Sequence, residues 1–293
     1  MKYGPVLDFS VEKKIVLITG GGSGIGFALA KICHEAGARI IIGDLSLTTE
    51  AQEYIKSVSN TTIHFQHCDV TNWKDLHNLI GTAVKVFGEV PDVYAPVAGI
   101  YEPPWSNFWD DEEEGPYKTI NINVSHPIKL TRLAIRALVG AQKQGVVCLI
   151  ASTAGIRGNY LTSLYCSSKH AIVGFAKSMG QADPDEGVRI VCVLPGLVDS
   201  PLWRDREDDM MAQHRFHERR SILPVDVALV MKKMIENKQY TGGTCVLISP
   251  HEERVVEGGW EQDGGKYDPS PRPEADISRI RSVMDRERGT PWS

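Results

Sequence analysis

IVLITGGGSGIGFALAKICHEAG, residues 15–37, holds three pieces in order: an apolar strand-like run (Ile15 to Ile18), a glycine-rich turn (Thr19 to Gly26) and a helix-like stretch (Phe27 to Gly37). Gly20, Gly24 and Gly26 permit a tight turn, close backbone approach to phosphate and close packing of helix on strand. Ser23 and Ile25 stand between them. The helix N-terminus then offers free N–H groups and a partial positive charge to a pyrophosphate. No Lys-Ser/Thr pair follows the last glycine, which excludes a phosphate-loop nucleotidase. A plain glycine-rich connection is the competing reading, but both flanks favour a seat for a dinucleotide.

The next strand-like run, ARIIIGD, ends in Asp44, eighteen residues after Gly26. A carboxylate there accepts both hydroxyls of an adenosine ribose and repels a 2′-phosphate. Leu45 follows it, and the glycine turn contains no arginine or lysine. The expected cofactor is therefore NAD rather than NADP. Asp44 also suits the start of the turn DLSLT as an N-cap, and that structural use stays open at this point.

Further along, YCSSK places Tyr165 and Lys169 four residues apart, with Ser152 thirteen positions before the tyrosine. On a helix the phenol and the ammonium share one face. A free tyrosine titrates near ~10, and an adjacent positive charge draws it toward working pH, as general acid–base catalysis needs. Ser152 supplies a hydroxyl for the same substrate oxygen. YxxxK alone occurs by chance in many helices. Here it follows a strand ending in IASTAG and the glycine turn, so the three residues read as a catalytic set.

These motifs, in this order and spacing, resemble the short-chain dehydrogenase/reductase family in its compact single-domain form, from about Val11 to Ser249. The resemblance implies that Asp69 in HCDV contacts the adenine amine and that Val70 lines the adenine pocket. It implies that Asn123 in NINVSHPIKLTR kinks its helix and holds a water joining Lys169 to solvent, with Asn121 the second claimant. Pro195 and Gly196 would pack on the nicotinamide, and Val198 would bond its carboxamide through the backbone. Ser200 stands where relatives often have threonine. One motif departs: Pro96-Val97-Ala98-Gly99 replaces the usual Asn-Asn-Ala-Gly. The amide side chains are gone and Pro96 removes a backbone donor, while Ala98 and Gly99 still permit close approach to the ribose.

By this resemblance the chain would be an NAD-dependent oxidoreductase interconverting a secondary alcohol and a ketone, with Tyr165 as general acid and base. Prostaglandin-dehydrogenase-like and fungal secondary-metabolite members are the most similar in flavour, which points to a hydrophobic or polycyclic small molecule. Two rivals remain: an enzyme of the same fold catalysing a non-redox step (a cyclase or isomerase), and a cofactor-binding regulator without turnover. A homodimer or homotetramer, built through the helices holding Asn123 and Tyr165, is also implied.

Alternation of strand-like and helix-like segments predicts an α/β fold, a Rossmann-type doubly wound parallel sheet of about seven strands flanked by helices. Strands are expected near 14–19, 38–43, 62–67, 92–96, 145–151, 188–194 and 244–249, and helices near 24–36, 47–57, 72–87, 116–140, 162–181 and 224–237. Gly20, Asp44, Asp69, Gly99, Ser152 and Pro195 all fall at strand carboxyl ends, where such sheets bind ligands. Residues 1–250 read as one dinucleotide-binding catalytic domain and 251–293 as a C-terminal extension, partly helical or mobile. The extension opens with a linker-like passage, EQDGGKYDPSPRPEAD, followed by ISRIRSVM with apolar positions 277, 280 and 283–284 at helical spacing. A mobile tail and a tail reaching across a subunit boundary are both open.

Across 293 residues with 42% hydrophobic composition the chain has ample material for a core, and a formal charge of −5 gives no reason to expect nucleic acid or anionic membrane as partners. Six scattered cysteines, several within apolar runs, suit reduced thiols in a cytoplasmic protein. Cys166 reads as core or pocket wall. The N-terminus MKYGPVLDFS lacks the apolar stretch of a secretion signal, and no run of about 18 apolar residues is present.

The substrate side is expected from three segments, the C-terminal stretch from His251 and two loops. IYEPPWSNFWDDEEE carries Tyr101, Trp105, Phe108 and Trp109, which suit either a planar apolar substrate or ordinary loop packing. Asp110–Glu114 suits a solvated helix start. LVDSPLWRDREDDMMAQHRFHERRSIL offers Trp203, Met210, Met211 and Phe216 as substrate cover, with His214 and His217 read as surface residues. No metal is expected.

Overall fold

The computed structural model describes residues 4–58, 61–103, 105–111, 114–202, 221–257 and 274–292. One sheet of eight strands runs through it in the order β3-β2-β1-β4-β5-β6-β7-β8. The strands are β1 (Ile15–Thr19), β2 (Arg39–Asp44), β3 (Ile63–His67), β4 (Val93–Pro96), β5 (Gly145–Ile150), β6 (Val188–Pro195), β7 (Cys245–Ile248) and β8 (Glu253–Val255). The first seven pair in parallel and β8 joins β7 antiparallel. All five residues of β1 and all eight of β6 are buried. Such burial along whole strands is what a parallel sheet covered on both faces produces, and the one charged residue in β6, Arg189, donates to the Val6 and Ile235 carbonyls.

Helices α1 (Gly24–Glu35), α2 (Thr49–Ser57) and α8 (Pro224–Glu236) cover one face. Helices α3 (Trp73–Phe87), α5 (His126–Gly140) and α6 (Ser163–Ser178) cover the other, and two separate apolar cores lie either side of the sheet. Short helices α4 (Lys118–Ile120) and α7 (Ala182–Glu186) precede α5 and β6. The chain winds outward from β1 to β3 and returns to place β4 on the other side of β1. This reversal opens a crevice at the strand carboxyl ends, the binding position in open α/β sheets.

Three features differ from the sequence expectation. The helix expected over 116–140 is broken by a π-helical turn, Asn121–Ser125, between α4 and α5. The sheet gains β8 beyond the expected boundary at 250; its three residues are all exposed and two are charged, so no apolar alternation announces it. The amphipathic segment of the extension forms α9 (Glu274–Glu287) and packs on α5 of its own chain.

Met284 is buried, and Val283 and Trp292 join the α3/α5-side core, whereas Ile280 is 54% exposed. Trp292 stacks on His77 with ring centroids 4.4 Å apart, and the Arg136 guanidinium lies over the same ring. Glu287 pairs with Arg132, and Arg288 with Glu186 at 3.0 Å. The linker-like passage before α9 lies mostly outside the described residues.

Candidate active site

Beyond β1 the backbone is packed so tightly that side chains are excluded. A Cβ on Gly20, whose φ is +70°, would lie 2.5 Å from the Ala98 nitrogen, and one on Gly26 would lie 2.1 Å from the Gly20 carbonyl. Ser23 is the N-cap of α1 in extended conformation, and its side chain makes no capping bond. The first turn of α1 therefore keeps its donors for an anion. Asp44, at the end of β2, accepts from the Gly22 amide at 2.8 Å and from the Leu45 amide at 2.7 Å. Its carboxylate thus holds the glycine turn while bordering the crevice, and the N-cap use left open by the sequence falls instead to Thr48, whose hydroxyl accepts from the Ala51 amide at 3.3 Å.

The crevice is a cleft of about 380 Å³. Around it stand Gly20, Ser23, Gly24, Ile25, Gly26, Asp44, Asp69, Val70, Ala98, Gly99, Ser152, Tyr165, Lys169, Pro195, Gly196, Val198 and Ser200. Every residue that the sequence placed near a dinucleotide borders this one space. Leu45, Cys68, Ile100, Ile122, Ile150, Ala151, Pro201 and Leu202 also line it and were not anticipated. Most adjoin a named motif, which is the one signal that finds them. Asp69 accepts from the Thr71 amide at 2.9 Å and hydroxyl at 2.7 Å, and these bonds hold its carboxyl below its ordinary range. Val198 bridges to Ile222, which joins the two sides of the segment whose residues Trp203, Met210, Met211, His214, Phe216 and His217 lie outside the described residues.

At the other end of the cleft stand Ser152, Tyr165 and Lys169. The Lys169 ammonium lies 5.5 Å from the Tyr165 ring centroid and donates to the Ile150 carbonyl at 3.3 Å. Burial pushes the Tyr165 phenol well above its ordinary value, and a hydrogen bond with Ser152 works against that rise. Burial likewise lowers Lys169 to about 8. The sequence expectation, in which the lysine charge draws the phenol down, is corrected here: burial of both groups is the larger effect.

Asn123 sits in the π-helical turn, 2% exposed, and does not border the cleft. Its amide bonds the backbone of Ile100 and donates to the Ser168 hydroxyl at 3.2 Å. Three positions later, His126 is fully buried and escaped sequence reasoning. Its Nδ1 is 3.1 Å from the Ile122 carbonyl and its Nε2 is 2.9 Å from the Thr19 hydroxyl. Donation from Nδ1 and acceptance at Nε2 suit the neutral ring, and burial lowers its pKa to about 4. The departure at Pro96 is absorbed at the same strand end, where the Val97 and Ala98 amides both donate to the Thr19 carbonyl at 3.0 Å. Two further residues meet Tyr165: the Tyr101 ring, edge-on at 4.7 Å between centroids, and the Glu102 carboxylate, which accepts from the Tyr165 backbone amide.

Over residues 14–211 the chain matches the family described as short chain dehydrogenase. It belongs to the short-chain dehydrogenases. Secoisolariciresinol dehydrogenase of Forsythia intermedia is 29% identical over 63% of this chain and 66% of its own length. Momilactone A synthase of Oryza sativa subsp. japonica is 30% identical over 65% and 69%. The crystal structure of a short-chain type dehydrogenase/reductase from Mycobacterium marinum superposes with a TM-score of 0.71 at 23% identity, over 82% of this chain and 96% of that one, and shows the common fold. The match to these two plant enzymes thus spans about two thirds of their length. The family works with nicotinamide dinucleotides, and the cradle at Gly20 and Gly26, the uncapped start of α1 and the carboxylate of Asp44 fit such a group.

Proposed function

We propose that this dehydrogenase interconverts an apolar secondary alcohol and its ketone, with NAD as cofactor and Tyr165 as the proton-exchanging group. The observation carrying this reading is the meeting of Ser152, Tyr165 and Lys169 in the same cleft that has the glycine cradle and Asp44 at its far end. Bound NAD would accept the hydride in oxidation and return it, as the reduced form, in the reverse direction. Gly20, Ser23, Gly24, Ile25 and Gly26 would seat the pyrophosphate. Asp44 and Asp69 would serve the adenosine half, and Pro195, Gly196, Val198 and Ser200 the nicotinamide half. The Asp44 carboxylate favours a free ribose over a 2′-phosphate.

In oxidation Tyr165 takes the hydroxyl proton of the alcohol; in reduction it gives that proton to the carbonyl oxygen. The Ser152 hydroxyl holds the same oxygen. The Lys169 ammonium, held by Ile150, offsets the charge on the phenolate. Asn123 acts from behind, and its amide oxygen is committed to the Ile100 amide at 2.9 Å.

The substrate reading comes from the walls. Tyr101 and Tyr165 form an apolar cluster with Ala154 and Leu197. Trp109 lies against both Phe108 and Tyr160 at the surface, and its indole donates to the Tyr160 carbonyl at 3.1 Å. The charged groups among the described lining residues are Asp44, Asp69 and Lys169. An uncharged, apolar or ring-bearing substrate suits these surroundings.

A homodimer or homotetramer would meet through α6, which exposes Ser167, Ala171 and Ser178, since α9 lies on α5. Among the described residues no helix is long and apolar enough to cross a membrane. Absorbance of reduced nicotinamide, followed with a panel of apolar secondary alcohols and ketones, tests the reading. Turnover with NAD that disappears in Tyr165→Phe is expected, and redox turnover intact in that variant would overturn the assigned role.

A further inference from the structure

We propose that Glu102, with Tyr101 beside it, is the positioning residue that sets Tyr165 for proton transfer. The inference rests on the role proposed above for Tyr165 and deepens it.

Tyr165 is the third residue of α6. Amides of a first helical turn have no partner within the helix, and the residue before the helix normally supplies an oxygen from its side chain. Thr162 occupies that place and makes no such bond. The Tyr165 amide instead donates to the carboxylate of Glu102, sixty-three residues away in sequence. A carboxylate in that position also meets the positive end of the helix dipole.

Two costs are concentrated at Glu102. Its residue is 4% exposed, and burying a carboxylate is unfavourable unless it is bonded. Its φ is +30°, in the left-handed region, where a residue with a Cβ is strained. Strain of this kind persists only where surrounding contacts over-determine the backbone. Those contacts are present on the two residues that precede it. Asn123 bonds both the amide and the carbonyl of Ile100. Tyr101, 8% exposed, sets its ring at 64° to that of Tyr165. The π-helical turn thus grips Ile100, and the next two residues hold the catalytic tyrosine by its ring and by its main chain. A phenol that must meet a substrate oxygen within hydrogen-bond reach gains from being fixed at both ends.

The experiment uses the full chain in the wild type, Glu102→Ala, Glu102→Gln and Tyr101→Leu. Amide hydrogen exchange at the start of α6 reports the bond directly, and steady-state kinetics and fluorescence titration with reduced nicotinamide report its consequence. In Glu102→Ala the Tyr165 amide is expected to exchange about ten- to hundredfold faster and kcat to fall by a similar factor, as loss of a charge-assisted bond predicts. KM for the alcohol and the affinity for reduced nicotinamide are expected to change by less than about twofold, because uniform binding is untouched. Glu102→Gln keeps an accepting oxygen and is expected to restore most of both losses.

Unchanged exchange and unchanged kcat in Glu102→Ala would overturn the proposal, as would a Glu102→Gln variant that regains protection but no activity. Should Glu102→Ala fail to fold, Tyr101→Leu carries the test: a lowered kcat with normal cofactor affinity supports the proposal, and wild-type kcat overturns it. If the wild type shows no redox turnover at all, the functional reading fails, while exchange at Tyr165 still decides whether Glu102 holds it.

Discussion

Asn123 grips Ile100 at both polar ends: its Nδ2 donates to the Ile100 carbonyl at 2.8 Å and its Oδ1 accepts from the Ile100 amide at 2.9 Å. This reciprocal pair ties the π-helical turn to the segment leaving β4. Asn123→Ala removes both bonds at a buried site, and a loss of about 1–3 kcal/mol in unfolding free energy is expected. Urea denaturation measures it. A parallel fall in kcat, larger than any change in KM, would show that the loop after Gly99 has lost its hold on the site.

Acid stability is expected to depend on His126. Its ordinary value of 6.5 falls to about 4 in the fold because burial disfavours the charged ring. Between those values the unfolded chain binds more protons, so stability rises with pH across the window and is lost as pH falls through it. The loss is expected to be on the order of a few kcal/mol. Denaturation midpoints at pH values spanning this window, compared with His126→Gln, check it. The variant is expected to show a flatter acid limb.

Lys169 predicts the opposite end of the scale. Burial lowers it from 10.5 to about 8, so the folded chain releases this proton before the unfolded chain does. Stability from this group therefore rises with pH between those values. Activity that needs the ammonium should fall over the same range. A pH–rate profile of kcat/KM for the free enzyme, set beside Lys169→Met, tests both statements.

Asp44 carries two duties, so its substitution should have two effects. Asp44→Ala is expected to narrow the preference for NAD over NADP by about tenfold or more, as a carboxylate facing the ribose predicts. It also removes the acceptor for the Gly22 amide, which loosens the glycine turn and weakens both cofactors. Fluorescence titration with the two reduced dinucleotides separates these effects. Tighter binding of NADP than NAD by the unaltered protein would remove the argument.

Trp292 stacks on His77 beneath the Arg136 guanidinium and packs against the α3/α5-side core. Trp292→Ala is expected to cost about 2 kcal/mol through lost burial and ring contacts. Thermal unfolding measures the cost. An unchanged midpoint would show that Trp292 contributes nothing to the fold.

The winding of the sheet was legible in the sequence because parallel strands buried on both faces need unbroken apolar runs, and a run such as IVLI needs no partner to be recognised. The glycine turn, Asp44 and the Ser152, Tyr165 and Lys169 set were legible for a related reason. Each sits at a strand end or within one helical turn, where local spacing decides its placement. A kink at Asn123 was implied by the family resemblance, but the π-helical form of the turn at Asn121–Ser125 was not legible, since bonds from Asn123 to Ile100 and from His126 to Thr19 tie it to other elements. Nor was β8, whose three exposed residues carry no periodic signal and pair only because β7 presents an edge.

Sequence alone thus determined the order of strands and helices and singled out the side chains proposed to carry the chemistry, both from local spacing. Tertiary structure alone decided how strongly each group is desolvated and what holds it. The phenol of Tyr165 rises and the amine of Lys169 falls because both are buried, and depth is a property of the packed whole. The carboxylate of Glu102 reaches the amide of Tyr165 for the same reason: contacts across the fold bring together residues that the chain itself keeps far apart.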